Sequence, residues 1–193
     1  MEKNEQIVGI LLAGGVSRRF GSQKAFANLL DKPMFMYSLE VLKQTSDKVI
    51  VTSHPKISSQ LARFCHEKII EDVAAYRGLG PLAGLYSGMI EETGDWYTVL
   101  PCDTPKVSGK LMNRILSYRS KDIDAIIPKI KGKIQPLIGV YSARMTPMIK
   151  ELLDKENLRM TSLLELGRIR YLTDVELNSM EEEFNNVNYP SDL

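Results

Sequence analysis

Short apolar runs rich in β-branched residues alternate along the chain with longer stretches in which apolar positions return every three or four residues. The runs "IVGILL" (7–12), "KVIVT" (48–52), "KIIED" (68–72), "WYTVLP" (96–101), "DAIIP" (124–128), "PLIGVYS" (136–142) and "RIRYLT" (168–173) predict buried strands. The stretches "MFMYSLEVLKQ" (34–44), "ISSQLARFC" (57–65), "PLAGLYSGMIEE" (81–92), "KLMNRILSYRS" (110–120), "PMIKELLDKE" (147–156) and "MTSLLEL" (160–166) predict helices. Pro33 and Pro81 stand where a proline suits a helical first turn. Strand–helix alternation of this kind predicts a three-layer α/β architecture around a mostly parallel sheet. The basic turn "KIKGK" (129–133) is the best hairpin candidate and would add an antiparallel element. The tail "FNNVNYPSDL" (184–193) reads as extended. With no repeat, low-complexity segment or long linker, residues 1–193 read as one domain.

Composition narrows the function. The formal net charge is +1, so the whole surface is no electrostatic match for nucleic acid or a membrane, and any anion site must be local. Cys65 and Cys102 are the only cysteines, too few for a disulfide framework and suited to a reducing compartment. No Cys/His cluster has zinc spacing. The polar start "MEKNEQ" and the shortness of the first apolar run predict a cytoplasmic protein.

Ligands of open α/β sheets bind at the carboxyl ends of strands. That rule selects three segments: "LAGGVSRRFGSQK" after the first strand, "EDVAAYRGLGPLAG" after the third and "PCDTP" after the fourth. In the first, Gly14 and Gly15 let backbone N–H groups approach a ligand closely, Ser17 adds a donor, and Arg19 and Lys24 add positive charge. The set suits a polyphosphate. It is neither a P-loop nor G-x-G-x-x-G, because five residues separate Gly15 from Gly21 and Lys24 comes later. A charged surface loop is the plain alternative. Asp103, between Pro101 and Pro105, is placed either to ligate Mg²⁺ or to cap the following helix. In "GLGPLAG", the backbone of Gly80, Pro81 and Leu82 can read a base edge, or the glycines serve tight helix–sheet packing. Asp72 can anchor that loop or position a ligand. His54 and His66 read as solvated or capping side chains, Cys102 as packing, and Lys129, Lys131 and Lys133 as a solvated strand edge.

The segment "LLAGGVSRRFGSQKA" resembles the nucleotidyltransferase signature L-A-G-G-x-S-x-R-[MF]-G-x-x-K-A, and "PCDTP" resembles the metal-binding C-D-x-P of the same enzymes. With "GPLAG" and "NVNYPSDL", the resemblance extends from Ile7 to Leu193 and narrows to the molybdenum cofactor guanylyltransferases. It implies a Rossmann-like nucleotide-diphospho-sugar transferase fold. It implies GTP held by Leu12, Ala13, Gly14 and Lys24, with Asp72 near the guanine and Asp103 binding nucleotide and Mg²⁺. Arg19, Lys24 and Asp103 would carry the chemistry, and Asn186 and Asn188 would face the pterin acceptor. Substrates would be GTP and molybdopterin, with partner proteins that deliver the pterin and receive the product. Gln23 and Thr104 depart from the family pattern, which commonly has aspartate and methionine there. Two other readings are a transferase using CTP or a sugar phosphate, and a non-catalytic nucleotide-binding regulator.

Overall fold

The most uniformly apolar strand lies inside the sheet. β1 (Ile7–Leu12) is flanked on both sides and buried on both faces, which only an unbroken apolar run tolerates. The computed structural model describes residues 5–14, 24–178, 181–189 and 192. After β1 come a small hairpin, β2 (Asn28–Leu29) with β3 (Lys32–Pro33), then α1 (Phe35–Thr45), β4 (Lys48–Ser53), α2 (Pro55–Leu61) and β5 (Lys68–Glu71). The chain continues through α3 (Pro81–Glu91), β6 (Trp96–Pro101), α4 (Gly109–Leu116), β7 (Ala125–Ile130), β8 (Lys133–Ile134) and β9 (Gly139–Ser142). It closes with α5 (Thr146–Asp154), α6 (Met160–Leu166), β10 (Ile169–Thr173) and α7 (Asp174–Leu177).

The main sheet has the order β10-β7-β9-β6-β1-β4-β5, with β8 paired to β7. β1, β4, β5 and β6 pair in parallel, as do β7 and β10. β9 runs antiparallel to both β6 and β7. Period-two alternation divides the sheet between two cores. Leu11, Val51, Leu100, Ile126 and Val140 pack with Phe35, Leu39 and Leu42 of α1 and Leu111 and Ile115 of α4. Val8, Ile10, Tyr97, Val99, Ala125, Ile127 and Tyr141 pack instead with Leu82 and Leu85 of α3, Ile149 of α5 and Leu163 of α6. The mixed, mostly parallel three-layer arrangement matches the sequence reading.

Several boundaries differ for identifiable reasons. Pro33 does not open α1; it lies in β3, opposite Asn28. α2 begins at Pro55, because the His54 ring accepts the Lys56 N–H and caps the helix there. The strand expected over 136–142 starts only at Gly139, since the Ile138 N–H closes a turn on the Gln135 carbonyl. "KIKGK" does form a hairpin: Lys131 and Gly132 have φ of 47° and 81°, the left-handed pair that a two-residue turn requires. The short pieces β2, β3 and α7 lie outside the sequence reading. α7 nonetheless carries a readable start, a reciprocal cap between Thr173 and Glu176. Among the described residues, no helix is long and apolar enough to cross a membrane.

Candidate active site

Strand register gathers the site. Leu12 of β1 lies opposite Thr52 of β4 on one side and Pro101 of β6 on the other, so three strand ends finish level. β1 is the strand from which the chain first moves outward to β4 and β5 and later returns to the other side with β6, and such a switch leaves a crevice. A cavity of about 510 Å³ opens there. It brings together the segments after β1, β5 and β6, through Leu12, Gly14 and Lys24, through Asp72, Gly80 and Pro81, and through Pro101, Cys102 and Asp103.

Each wall has a local cause. Asp72 accepts a hydrogen bond at 3.0 Å from the Gly78 N–H and thereby ties down the loop that leads into α3. Gly80 has φ of 83°, and a Cβ there would meet nothing within 4 Å, so glycine is required by backbone conformation rather than by space. Gly84 is the opposite case: a Cβ would come within 3.0 Å of Thr52 Oγ1 and 3.1 Å of Leu12 Cδ2. Its absence lets α3 lie close against β1 and β4. The N-terminus of α3 has no side-chain cap and contributes Gly80, Pro81 and Gly84 to the cavity wall. Pro81 has no N–H, and the Ala83 and Gly84 N–H groups donate to the Gly80 carbonyl, so the Leu82 N–H and the helix dipole are what favour an electron-rich ligand atom.

The charged centre is a single ion pair. Lys24 Nζ lies 2.6 Å from Asp103 Oδ2 and 3.1 Å from Asn188 Oδ1. Lys24 is 8% exposed, so its ammonium group needs these acceptors. The other carboxylate oxygen, Asp103 Oδ1, is buried with no hydrogen-bond partner among the described residues. An orphaned, buried anionic oxygen beside an open cavity fits a hard divalent cation. No group of three or more His, Cys, Asp or Glu side chains surrounds it among the described residues, so phosphate oxygens and water would complete such a shell. Asp103 does not cap α4, because Ser108 does, accepting the Leu111 N–H at 3.1 Å.

A second cavity, of about 790 Å³, adjoins the first. The two share Pro101, Leu137 and Asn186 as lining residues. The larger one is also lined by Asn188 and by Lys106, Lys131 and Lys133. The tail reaches this place because the Val187 N–H donates to the Asp103 carbonyl at 2.9 Å while the Val187 side chain packs on Met34.

Not every expected residue meets a cavity. Ala13 is fully buried in the core, and its N–H is spent on the Thr52 carbonyl. The Leu82 side chain is equally buried beneath α3, which leaves only its backbone for a ligand. Gly15 and Arg19, with Ser17, Gly21 and Gln23, lie outside the described residues. Cys102 lines the nucleotide-sized cavity, but burial, reinforced by Asp103, pushes its thiol up to about 12, so it remains a protonated packing group. Thr52, Arg77 and Leu137 line the cavity without having been singled out from sequence. Thr52 was recoverable, being a strand terminus level with Leu12; Leu137 carries no sequence signal.

The MobA-like NTP transferase domain family matches residues 9–170, most of the chain. The chain belongs to this family. A relative from Geobacillus sp. (strain WCH70), named "Probable molybdenum cofactor guanylyltransferase", is 38% identical over 97% of this chain and 96% of its own. A relative of the same name from Bacillus cytotoxicus is 37% identical over 95% and 92%. Among solved structures, molybdopterin-guanine dinucleotide biosynthesis protein A from Archaeoglobus fulgidus superposes with a TM-score of 0.82 at 21% identity, covering 96% of this chain and 94% of that one. That likeness shows the nucleotidyltransferase fold. As a MobA-like NTP transferase, the chain is an enzyme, a nucleotidyltransferase.

Proposed function

We propose that this enzyme transfers GMP from GTP to the terminal phosphate of molybdopterin, forming molybdopterin guanine dinucleotide and pyrophosphate with Mg²⁺. The names of the relatives support the substrate pair. The observation that carries the reading is the Lys24–Asp103 pair in the wall of the smaller cavity, tied through Asn188 to the larger cavity that adjoins it, one cavity for each substrate. The smaller cavity takes the nucleotide. Guanine presents a carbonyl acceptor where adenine presents an amino group, and the Leu82 N–H, which no side chain caps, suits the carbonyl. The larger cavity takes the acceptor, with the amide of Asn186 beside its phosphate.

The reaction joins an oxygen of the acceptor phosphate to the α-phosphorus of GTP and breaks the bond from that phosphorus to the bridging oxygen of pyrophosphate. A phosphate monoester has a second pKa near ~6 and is already a competent nucleophile at neutral pH. No general base is needed, which agrees with His54 being engaged as a helix cap and Cys102 being protonated. The obstacle is repulsion between anions and charge growing on the leaving group, so positioning and electrostatics carry the catalysis. Lys24 neutralises phosphate charge. Asp103 holds Lys24 and offers Oδ1 to the cation. Mg²⁺, when bound, screens the phosphates from one another. The signature that contains Arg19 adds it to the residues expected to offset phosphate charge. A biosynthetic enzyme of this kind works in the cytoplasm, among the proteins that supply the pterin and take the product.

The test is incubation of the protein with molybdopterin, Mg²⁺ and GTP, CTP or ATP, followed by identification of the dinucleotide and of pyrophosphate. GTP is expected to give the product with release of pyrophosphate, and ATP to give little. A cytosine dinucleotide in its place would reassign the base, and nucleotide binding without pyrophosphate would make the protein a regulator.

A further inference from the structure

We propose that Asn188 is a positioning residue for the nucleotide: it acts through Lys24 rather than by contact with the acceptor. This rests on the nucleotide reading above only in that Lys24 must meet phosphate. An ammonium group has three N–H donors and no acceptor. In Lys24, one donor is taken by Asp103 Oδ2 at 2.6 Å and one by Asn188 Oδ1 at 3.1 Å. Two fixed donors fix the direction of the third, which is left for a phosphate oxygen. Asp103 alone would leave the amine free to swing about one contact.

Asn188 is itself held in place, as a positioning group must be. Its N–H donates to Asp192 Oδ2 at 2.7 Å, and the Tyr189 N–H donates to the same oxygen at 2.8 Å. These donors, the Asn188 N–H foremost, keep the Asp192 carboxyl below the usual carboxylate range. On the other side, the Val187 N–H is bound to the Asp103 carbonyl at 2.9 Å. The backbone around Asn188 is thus clipped to the very loop that carries the partner of Lys24. Among the described residues Asn186 makes no hydrogen bond to Lys24, and it lines both cavities, so the two asparagines divide the work: Asn186 faces the acceptor and Asn188 sets the lysine.

The decisive experiment is a double-mutant cycle read by nucleotide affinity without any acceptor. Wild type, Asn188→Ala, Lys24→Ala and the double variant are titrated calorimetrically with GTP, CTP and inorganic tripolyphosphate. Asn188→Ala is expected to weaken binding about fivefold, the value of one hydrogen bond, in the wild-type background and to cost nothing further once Lys24 is alanine. Asp192→Ala, which loosens the backbone but keeps the amide, is expected to give a smaller loss that also vanishes without Lys24. Equal losses in both backgrounds would mean a merely structural role. Unchanged GTP affinity with a raised KM for molybdopterin would return Asn188 to the acceptor. Either result overturns the proposal. Coupling seen with CTP or tripolyphosphate while GTP binds no better keeps the proposal and corrects the base. A wild type that binds none of the three overturns both readings.

Discussion

At the scale of single residues, two side chains at one junction do different work, and their variants separate it. Lys24→Ala removes a charge-assisted contact to phosphate. Loss of one such transition-state contact costs about 10²–10³ in rate, so turnover at saturating GTP is expected to fall by that order. Wild-type turnover under those conditions would remove Lys24 from the chemistry. Asp103→Asn is the complementary change. Asparagine keeps the shape and an oxygen for Lys24, and Ser108 rather than Asp103 caps α4, but the buried ammonium loses its counter-charge, so the variant is expected to fold with a lowered melting temperature. What disappears is the anionic oxygen that a hard cation prefers. The expected signature is a much higher Mg²⁺ concentration for half-maximal turnover in a folded protein. A variant that melts early with unaltered Mg²⁺ dependence would make Asp103 structural.

At the scale of elements, the hairpin of β7 and β8 changed its meaning most between sequence and structure. Lys131 and Lys133 read as a solvated strand edge, and in one dimension nothing distinguishes such an edge from the wall of a cleft. The fold places them on the larger cavity, opposite the tail, where Lys131 pairs with Glu181 and Lys106 lies 3.9 Å from Glu182. No salt bridge engages Lys133 among the described residues. The double variant Lys131→Ala/Lys133→Ala is expected to raise the apparent KM for molybdopterin about two- to tenfold, an effect shrinking with added salt, and to leave GTP affinity unchanged. A weakened GTP affinity instead would move these lysines to the nucleotide side. The strand ends were legible in advance because a buried parallel strand needs an uninterrupted apolar run, and the ends of such runs mark the ligand crevice. Lys24 and Asp103 were legible for the same reason, each following such a run. The antiparallel setting of β9, the core burial of Ala13 and Leu82 and the link from Asn188 to Lys24 depend on partners far away in sequence. Local pattern carries no information about them.

At the scale of the whole molecule, one buried carboxylate joins three strands well away from the chemistry and sets an acid limit on the fold. The Asp124 N–H donates to the Arg168 carbonyl, and the Ser142 N–H donates to the Asp124 carbonyl, both at 2.8 Å. Its side chain accepts from Arg144 Nε at 2.8 Å and from the Arg168 N–H at 2.9 Å. The residue therefore ties the start of β7 to the end of β9 and the approach to β10. Burial by itself would raise the carboxyl pKa. The Arg168 N–H and guanidinium and the Arg144 guanidinium outweigh burial and bring it down to about 2. A carboxyl lowered from about 3.9 in the unfolded chain to about 2 in the fold binds its proton more readily when unfolded. Its contribution, about 2 kcal/mol, is complete above pH ~4 and disappears as the pH falls from there toward ~2. Asp124→Asn cannot make that contribution at any pH. The variant is expected to melt about 4–8 °C below the wild type at pH 7, which is what ~2 kcal/mol amounts to in a chain of this size. The gap should close as both are acidified from pH 4 to pH 2. Nucleotide affinity of the folded variant at pH 7 should stay unchanged, since Asp124 lines neither cavity. A gap that persists undiminished at pH 2 would mean that the ionised carboxylate is not what holds these strands, and that packing or the backbone hydrogen bonds of Asp124 do so instead.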